Sequence, residues 1–297
     1  MKIKSAFAAP FLLIVVLALL AVSAGLDPAA AGANPYLTLI ILELIVYAVP
    51  SLFFCRLRGS EYTKRLRLRL FHPNHLIFML LAWIVMAVGC ALLNWGMYTL
   101  FPAAGVSGAS DASAHGANGY AVLAYCLFPA ITEEFLFRGI LTAEYESVSV
   151  PFSILMTSAC FAAMHLNYAR FPAYLFSGIV LALVLYATRS ILAPMLVHAL
   201  HNVTALWTDR YLLKAVGTPA GSGVLLAFLM LSVLFIALVL LFLEGERIYT
   251  GYGVTATPSP YVRRRKKNEP GGVLEALAAP PFILFIVLTV IFSVVTA

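Results

Sequence analysis

Apolar stretches, each about as long as a bilayer crossing, recur along this chain with short polar segments between them. They run approximately from 7 to 24, 36 to 54, 76 to 100, 120 to 141, 152 to 168, 171 to 188, 191 to 207, 221 to 243 and 275 to 296. A helix crossing the hydrocarbon needs roughly 20 such residues. The pattern therefore predicts an all-α fold, a polytopic transmembrane helical bundle of about nine spans. Lys2 and Lys4 before the first stretch and the small residues from Ala21 to Ala24 at its end also fit a cleaved signal peptide, which would leave eight.

Composition agrees, with 62% hydrophobic and 11% charged residues and a mean hydropathy of +0.96. Lipid is the solvent for most of this chain. Orientation follows from Lys and Arg, which collect in cytoplasmic loops. With the amino terminus inside, the cytoplasmic segments hold Lys2, Lys4, Arg56, Arg58, Lys64, Arg65, Arg67, Arg69, Arg138, Arg189, Arg247, Arg263, Arg264, Arg265, Lys266 and Lys267. Only Arg170, Arg210 and Lys214 fall outside. The net charge of +6 thus sits mainly in two juxtamembrane clusters, which implies anionic lipid headgroups as partners and not nucleic acid. The alternation Leu66, Arg67, Leu68, Arg69, Leu70 reads as arginines reaching to the bilayer surface. Cys55, Cys90, Cys126 and Cys160 lie in or beside apolar stretches without CxxC spacing, as small buried hydrophobes. Residues 103–119 read as a flexible external connection, and residues 245–272 as a cytoplasmic linker.

A charge in hydrocarbon costs roughly 2.5 to 3.5 kcal/mol on insertion scales, so ionisable residues there usually mark function. This chain places Glu43, Glu133, Glu134, His165, His198 and His201 in apolar stretches, with Arg138 near a span end. Most fall in three short phrases. In the phrase from Thr132 to Arg138, Glu134 and Arg138 stand one turn apart and can pair, while Glu133 points about 100° away. Adjacent carboxylates repel, a setting that suits a general acid or base. The second phrase runs from Phe161 to His165 and the third from His198 to Asn202, and the outer residues of each share a helical face. A histidine beside an amide supplies donors for a developing oxyanion.

These phrases, EExxxR, FxxxH and HxxxN in that order on successive apolar helices, resemble the CAAX protease and bacteriocin-processing family of intramembrane peptidases. The approach to the last histidine, from Phe176, Ser177 and Gly178 through Tyr186, Arg189 and Pro194 to Met195, is similar to that family's too. The likeness spans about residues 120–207 as a catalytic core, between amino-terminal spans (1–119) and carboxy-terminal spans with a basic cytoplasmic loop (208–297). It implies that Glu133 with His165 activates a water, that Glu134 and Arg138 shape the site, and that His198 and Asn202 bind the oxyanion. No cofactor is required on that reading. The implied partner is a membrane-associated protein or peptide substrate, and the expected location is the plasma membrane of a prokaryote, with the amino terminus cytoplasmic.

Other readings of the same residues stay open. Glu134, His165 and His198 are an acceptable zinc set, although HExxH is absent. A non-catalytic scaffold or immunity protein, or a transporter with a proton relay, would also use buried polar groups. Ser158 and Cys160 lack the partners of a triad. His201 departs from the phrase positions and is expected in packing or interhelical hydrogen bonding, and Glu43 as a partner for a buried arginine or histidine. Depth sets a geometric test. If the fourth span exits near Arg138, Glu133 lies about 8 Å inside, while His165 lies about 21 Å from Pro151. The fifth helix must then tilt, start deeper or break.

Overall fold

The computed structural model of this chain describes residues 5–25, 34–101, 119–216, 220–252 and 272–296. Every regular element among them is helical: α1 (Ser5–Ala24), α2 (Pro35–Arg58), α3 (Leu76–Leu100), α4 (Gly119–Tyr145), α5 (Val150–Met164), α6 (Phe171–Thr188), α7 (Leu192–Val216), α8 (Ala220–Gly251), the short α9 (Gly272–Leu277) and α10 (Pro280–Thr296), with 3-10 turns at Ser60–Leu66 and Pro73–His75. Each predicted apolar stretch centres on one helix, except 275–296, which is divided between α9 and α10. Among the described residues six helices are long and apolar enough to cross a membrane, and α5 and α10 are shorter apolar helices. The chain is a multi-pass helical membrane protein. The four cysteines are buried and form no disulfide. The loop predicted to be external and most of the linker predicted to be cytoplasmic, including Asp111 and Arg265, lie outside the described residues.

Among the described residues two large apolar cores hold the bundle. In one, α1 and α10 pack on each other and on the lower parts of α2, α4 and α5, with Leu13, Val16, Leu17 and Phe285 fully buried. In the other, α3 gathers α6, α7 and α8 around Met86, Leu181 and Val184. The lipid-facing side is plainest on α8, where only 6% of the most apolar window is buried.

Wide π turns interrupt two helices, at Leu44–Ala48 in α2 and at Leu123–Leu127 and Phe135–Leu141 in α4. The first two are followed closely by Pro50 and Pro129. A proline ring clashes with the carbonyl four residues back, which falls at Val46 and Tyr125, inside the widened turns. The wider turn relieves that clash.

The depth mismatch resolves at the fourth helix. Arg138 is not at the end of its helix: α4 continues to Tyr145, and Arg138 is only 1% exposed. Glu133 is therefore about 18 Å from that end at about 1.5 Å per residue, close to the about 22 Å between Val150 and His165. The fifth helix also stops earlier than its apolar stretch. Leu166 adopts a left-handed conformation (φ 53°), the Asn167 side chain accepts from the Arg170 amide (3.1 Å), and Pro172 opens the first turn of α6.

The segment between α2 and α3 is folded onto the bundle. Arg58 pairs with Glu144 and Arg67 with Glu146, and both carboxylates are buried. Arg65 donates to the Ala143 carbonyl and Arg69 to that of Arg189, while the Ile191 amide and the Ser190 hydroxyl donate to the carbonyls of Arg67 and Arg69. These arginines serve protein contacts, where the sequence pattern suggested reach toward lipid. Ser190 and Ile191 are fully buried beneath this segment, so α7 starts below a protein cover.

Candidate active site

Helices α4, α5, α6 and α7 bring the three polar phrases together. Glu134 and Arg138 pair one turn apart at 2.8 Å, both side chains fully buried. The guanidinium also donates to the Gly178 carbonyl of α6 (3.0 Å). That reach depends on a close helix crossing: a Cβ at Gly178 would lie 2.9 Å from the Ser158 Cβ of α5. Only glycine lets the two backbones approach so closely here.

The same Glu134 oxygen that accepts from Arg138 is 2.9 Å from His198 Nδ1. A carboxylate flanked by a guanidinium and an imidazole is an acceptor, so Nδ1 carries the hydrogen and Nε2 points the other way. Nε2 lies 3.9 Å from a Glu133 carboxylate oxygen. His165, at the end of α5, places Nδ1 2.8 Å from the Phe161 carbonyl. A carbonyl only accepts, so Nδ1 again donates and Nε2 keeps its lone pair in the neutral ring. Tyr174 of α6 stacks on the imidazole, 3.9 Å between ring centres.

Phe161 sits at the hub. Its ring centre is 4.6 Å from the Arg138 guanidinium carbon, 4.6 Å from the ring centre of His165 and 5.7 Å from that of His198. An aromatic face attracts the cation, and ring edges meet both imidazoles. Exposure grades across the site. Glu134 and Arg138 are sealed, whereas Glu133, His165 and Asn202 are half-buried. Asn202 stands one turn beyond His198 on α7.

Two residues set aside by the sequence reasoning are also close by. Glu43, expected to partner an arginine or histidine, instead accepts from the Thr132 hydroxyl at 2.6 Å. It comes within electrostatic reach of Glu133, as does Tyr47. The π turn that begins at Leu44 carries this wall of α2 against α4. His201 is half-buried, with its Nδ1 enclosed, which fits the packing role. His201→Ala is accordingly expected to keep near-wild-type turnover, and a loss comparable to that of His198→Ala would overturn the assignment.

Sequence reasoning did not anticipate Tyr174, Thr132 or the buried carboxylates Glu144 and Glu146. Their partners lie on other elements, and local spacing carries no trace of them. Glu134, His165 and His198 do not gather as a zinc set: among the described residues no group of three or more His, Cys, Asp or Glu side chains is placed to hold a metal ion.

Residues 115–204 match the family model described as type II CAAX prenyl endopeptidase Rce1-like. Over that stretch, under a third of its length, the chain is similar to the Rce1-like family. All seven specified residues of the three phrases, from Glu133 to Asn202, fall inside it, while Glu43, α1 to α3, α8 and α10 lie outside. No curated protein and no solved structure matches this chain. The Rce1-like match within a multi-pass helical bundle supports an intramembrane endopeptidase in general terms.

Proposed function

We propose that this protein hydrolyses a peptide bond of a membrane-associated protein or peptide, using a water activated by Glu133 and His165. The observation that carries the reading is the anchoring of both histidines through Nδ1, which leaves each Nε2 free of that bond, with His198 Nε2 3.9 Å from the half-buried Glu133. Glu133 takes a proton from the water as its oxygen attacks the carbonyl carbon, and His165 Nε2 orients that water by accepting its second hydrogen. The proton then passes to the leaving nitrogen as the C–N bond breaks. His198, when its Nε2 carries a proton, and the Asn202 amide donate to the oxyanion. Glu134 and Arg138 hold His198 in place and take no part in proton transfer.

Comparison of the membrane peptides in cells carrying wild type and Glu133→Ala tests the reading. A precursor that accumulates only with the variant is expected, and indistinguishable peptide profiles would count against a peptidase. With such a peptide in hand, Asn202→Ala is expected to lower kcat by about 10²- to 10³-fold, the usual cost of one oxyanion donor. Unchanged kcat would remove Asn202 from the chemistry.

The orientation belongs to this proposal. Single cysteines at positions 64 and 265 are expected to label from the cytoplasmic side and one at 111 from outside, with little background from the buried native cysteines. Labelling of 64 and 111 from one side would break the assignment. The basic run Arg263 to Lys267 is the segment proposed to meet anionic headgroups.

A further inference from the structure

His165 is the one proposed reacting group that stands at a helix end. An imidazole in mid-helix is fixed by the turns on both sides, but beyond His165 the chain leaves the helix at once. Leu166 takes a left-handed conformation (φ 53°), which L-residues other than glycine disfavour and which persists only where the surroundings hold it. The amides of His165 and Leu166 close back on the carbonyls of Ala162 and Ala163 (3.3 and 3.1 Å), so the last turn is intact on its inner side. Its outgoing carbonyl, that of Leu166, needs a donor, because the residue lies in an apolar bundle.

The donor comes from the far end of the chain. Ser293, on α10 and only 4% exposed, gives its hydroxyl hydrogen to the Leu166 carbonyl at 2.8 Å. One turn earlier on the same helix, the equally buried Thr289 hydroxyl bonds its own helix at Ile286. Leu166 packs in the same apolar core as Phe282, Phe285 and Phe292 of α10. A serine would ordinarily satisfy its hydroxyl within its own helix, as Thr289 does. Ser293 reaches across instead.

We propose that Ser293 is a positioning residue for His165: through the Leu166 carbonyl it fixes the turn that sets the imidazole against Phe161 and Tyr174. The proposal rests on the water-activating role given to His165. It extends the working unit beyond residues 115–204, since the helix that steadies the histidine lies outside the Rce1-like match.

The full chain in lipid nanodiscs provides the test, with Ser293→Ala, Ser293→Thr and Thr289→Val compared. Hydrogen exchange read by mass spectrometry is expected to speed at least about tenfold for the amides of residues 165–168 in Ser293→Ala alone. The activity arm uses an internally quenched peptide ending in a prenylated Cys-aliphatic-aliphatic-X sequence, or the accumulating precursor if that is the peptide cleaved. There kcat is expected to fall about tenfold with KM unchanged, and Ser293→Thr, which keeps the hydroxyl, to restore it. Should the alanine variant not insert, Ser293→Val against Ser293→Thr makes the same comparison between side chains of equal shape. Wild-type exchange and kcat in the variants lacking the hydroxyl, or an equal loss in Thr289→Val, overturns the proposal. His165→Ala run in parallel separates the two levels: if it remains active the role of His165 falls, and if it is inactive while Ser293→Ala is unaffected only the positioning role falls.

Discussion

Glu133→Gln is expected to abolish peptide hydrolysis while leaving the protein inserted and folded. The amide keeps the size of the carboxylate and can still accept hydrogen bonds from its surroundings, but it cannot take the proton of a water. General-base catalysis contributes about 10²- to 10⁴-fold, so turnover should fall by that much. Adding His165→Ala to Glu133→Gln should cost far less than its effect alone, because groups acting on one water behave as a unit. Glu133 is well suited to the role by position, half-buried where its neighbour Glu134 is sealed. Turnover of a verified substrate at the wild-type rate would make Glu133 structural and return the question to a scaffold.

The second large effect is on stability. Arg138→Leu removes the guanidinium that neutralises Glu134 and caps the Gly178 carbonyl, leaving a fully buried carboxylate beside His198. Breaking a buried pair from one side costs about 3–5 kcal/mol, and the protein should melt far earlier in detergent. Replacing both partners, as in Glu134→Leu with Arg138→Met, should recover much of that loss, since apolar side chains of similar volume carry no uncompensated charge. The double variant should nonetheless stay inactive, because His198 has lost the acceptor that orients its ring. A melting temperature for Arg138→Leu equal to wild type would show that the pair contributes little.

Much of this arrangement was legible in residue order, for identifiable reasons. Apolar runs are local, and each became helical, the last of them divided between α9 and α10. The one-turn spacing of Glu134 and Arg138 is likewise local, and they pair as expected. What stayed hidden depended on where helices end and which faces meet. The apolar run through Arg138 suggested an exit there, but a buried salt bridge lets an arginine lie inside the bundle, and α4 continues to Tyr145. Arg67 and Arg69 suggested a lipid surface, but their acceptors, Glu146 and the Arg189 carbonyl, are far away in sequence. Glu43 could not be joined to Thr132 without knowing that α2 and α4 touch.

The wide turns of α4 have a further consequence for the angular phase of its side chains. Each holds about one residue more than a regular turn of the same rise, so each offsets the faces on its two sides by about 100°. The stripe of α4 that meets its neighbours before Leu123 is therefore out of phase with the stripe after Leu141. Deleting one residue within Leu123–Leu127 would return that turn to a regular one of the same rise, leaving the length of the span and the faces on its two sides in place. A deletion in a regular turn of α4 would instead swing one half of the helix about 100° relative to the other, aiming either the carboxylates or their packing face into lipid. For this span, rotational phase is a stricter constraint than length.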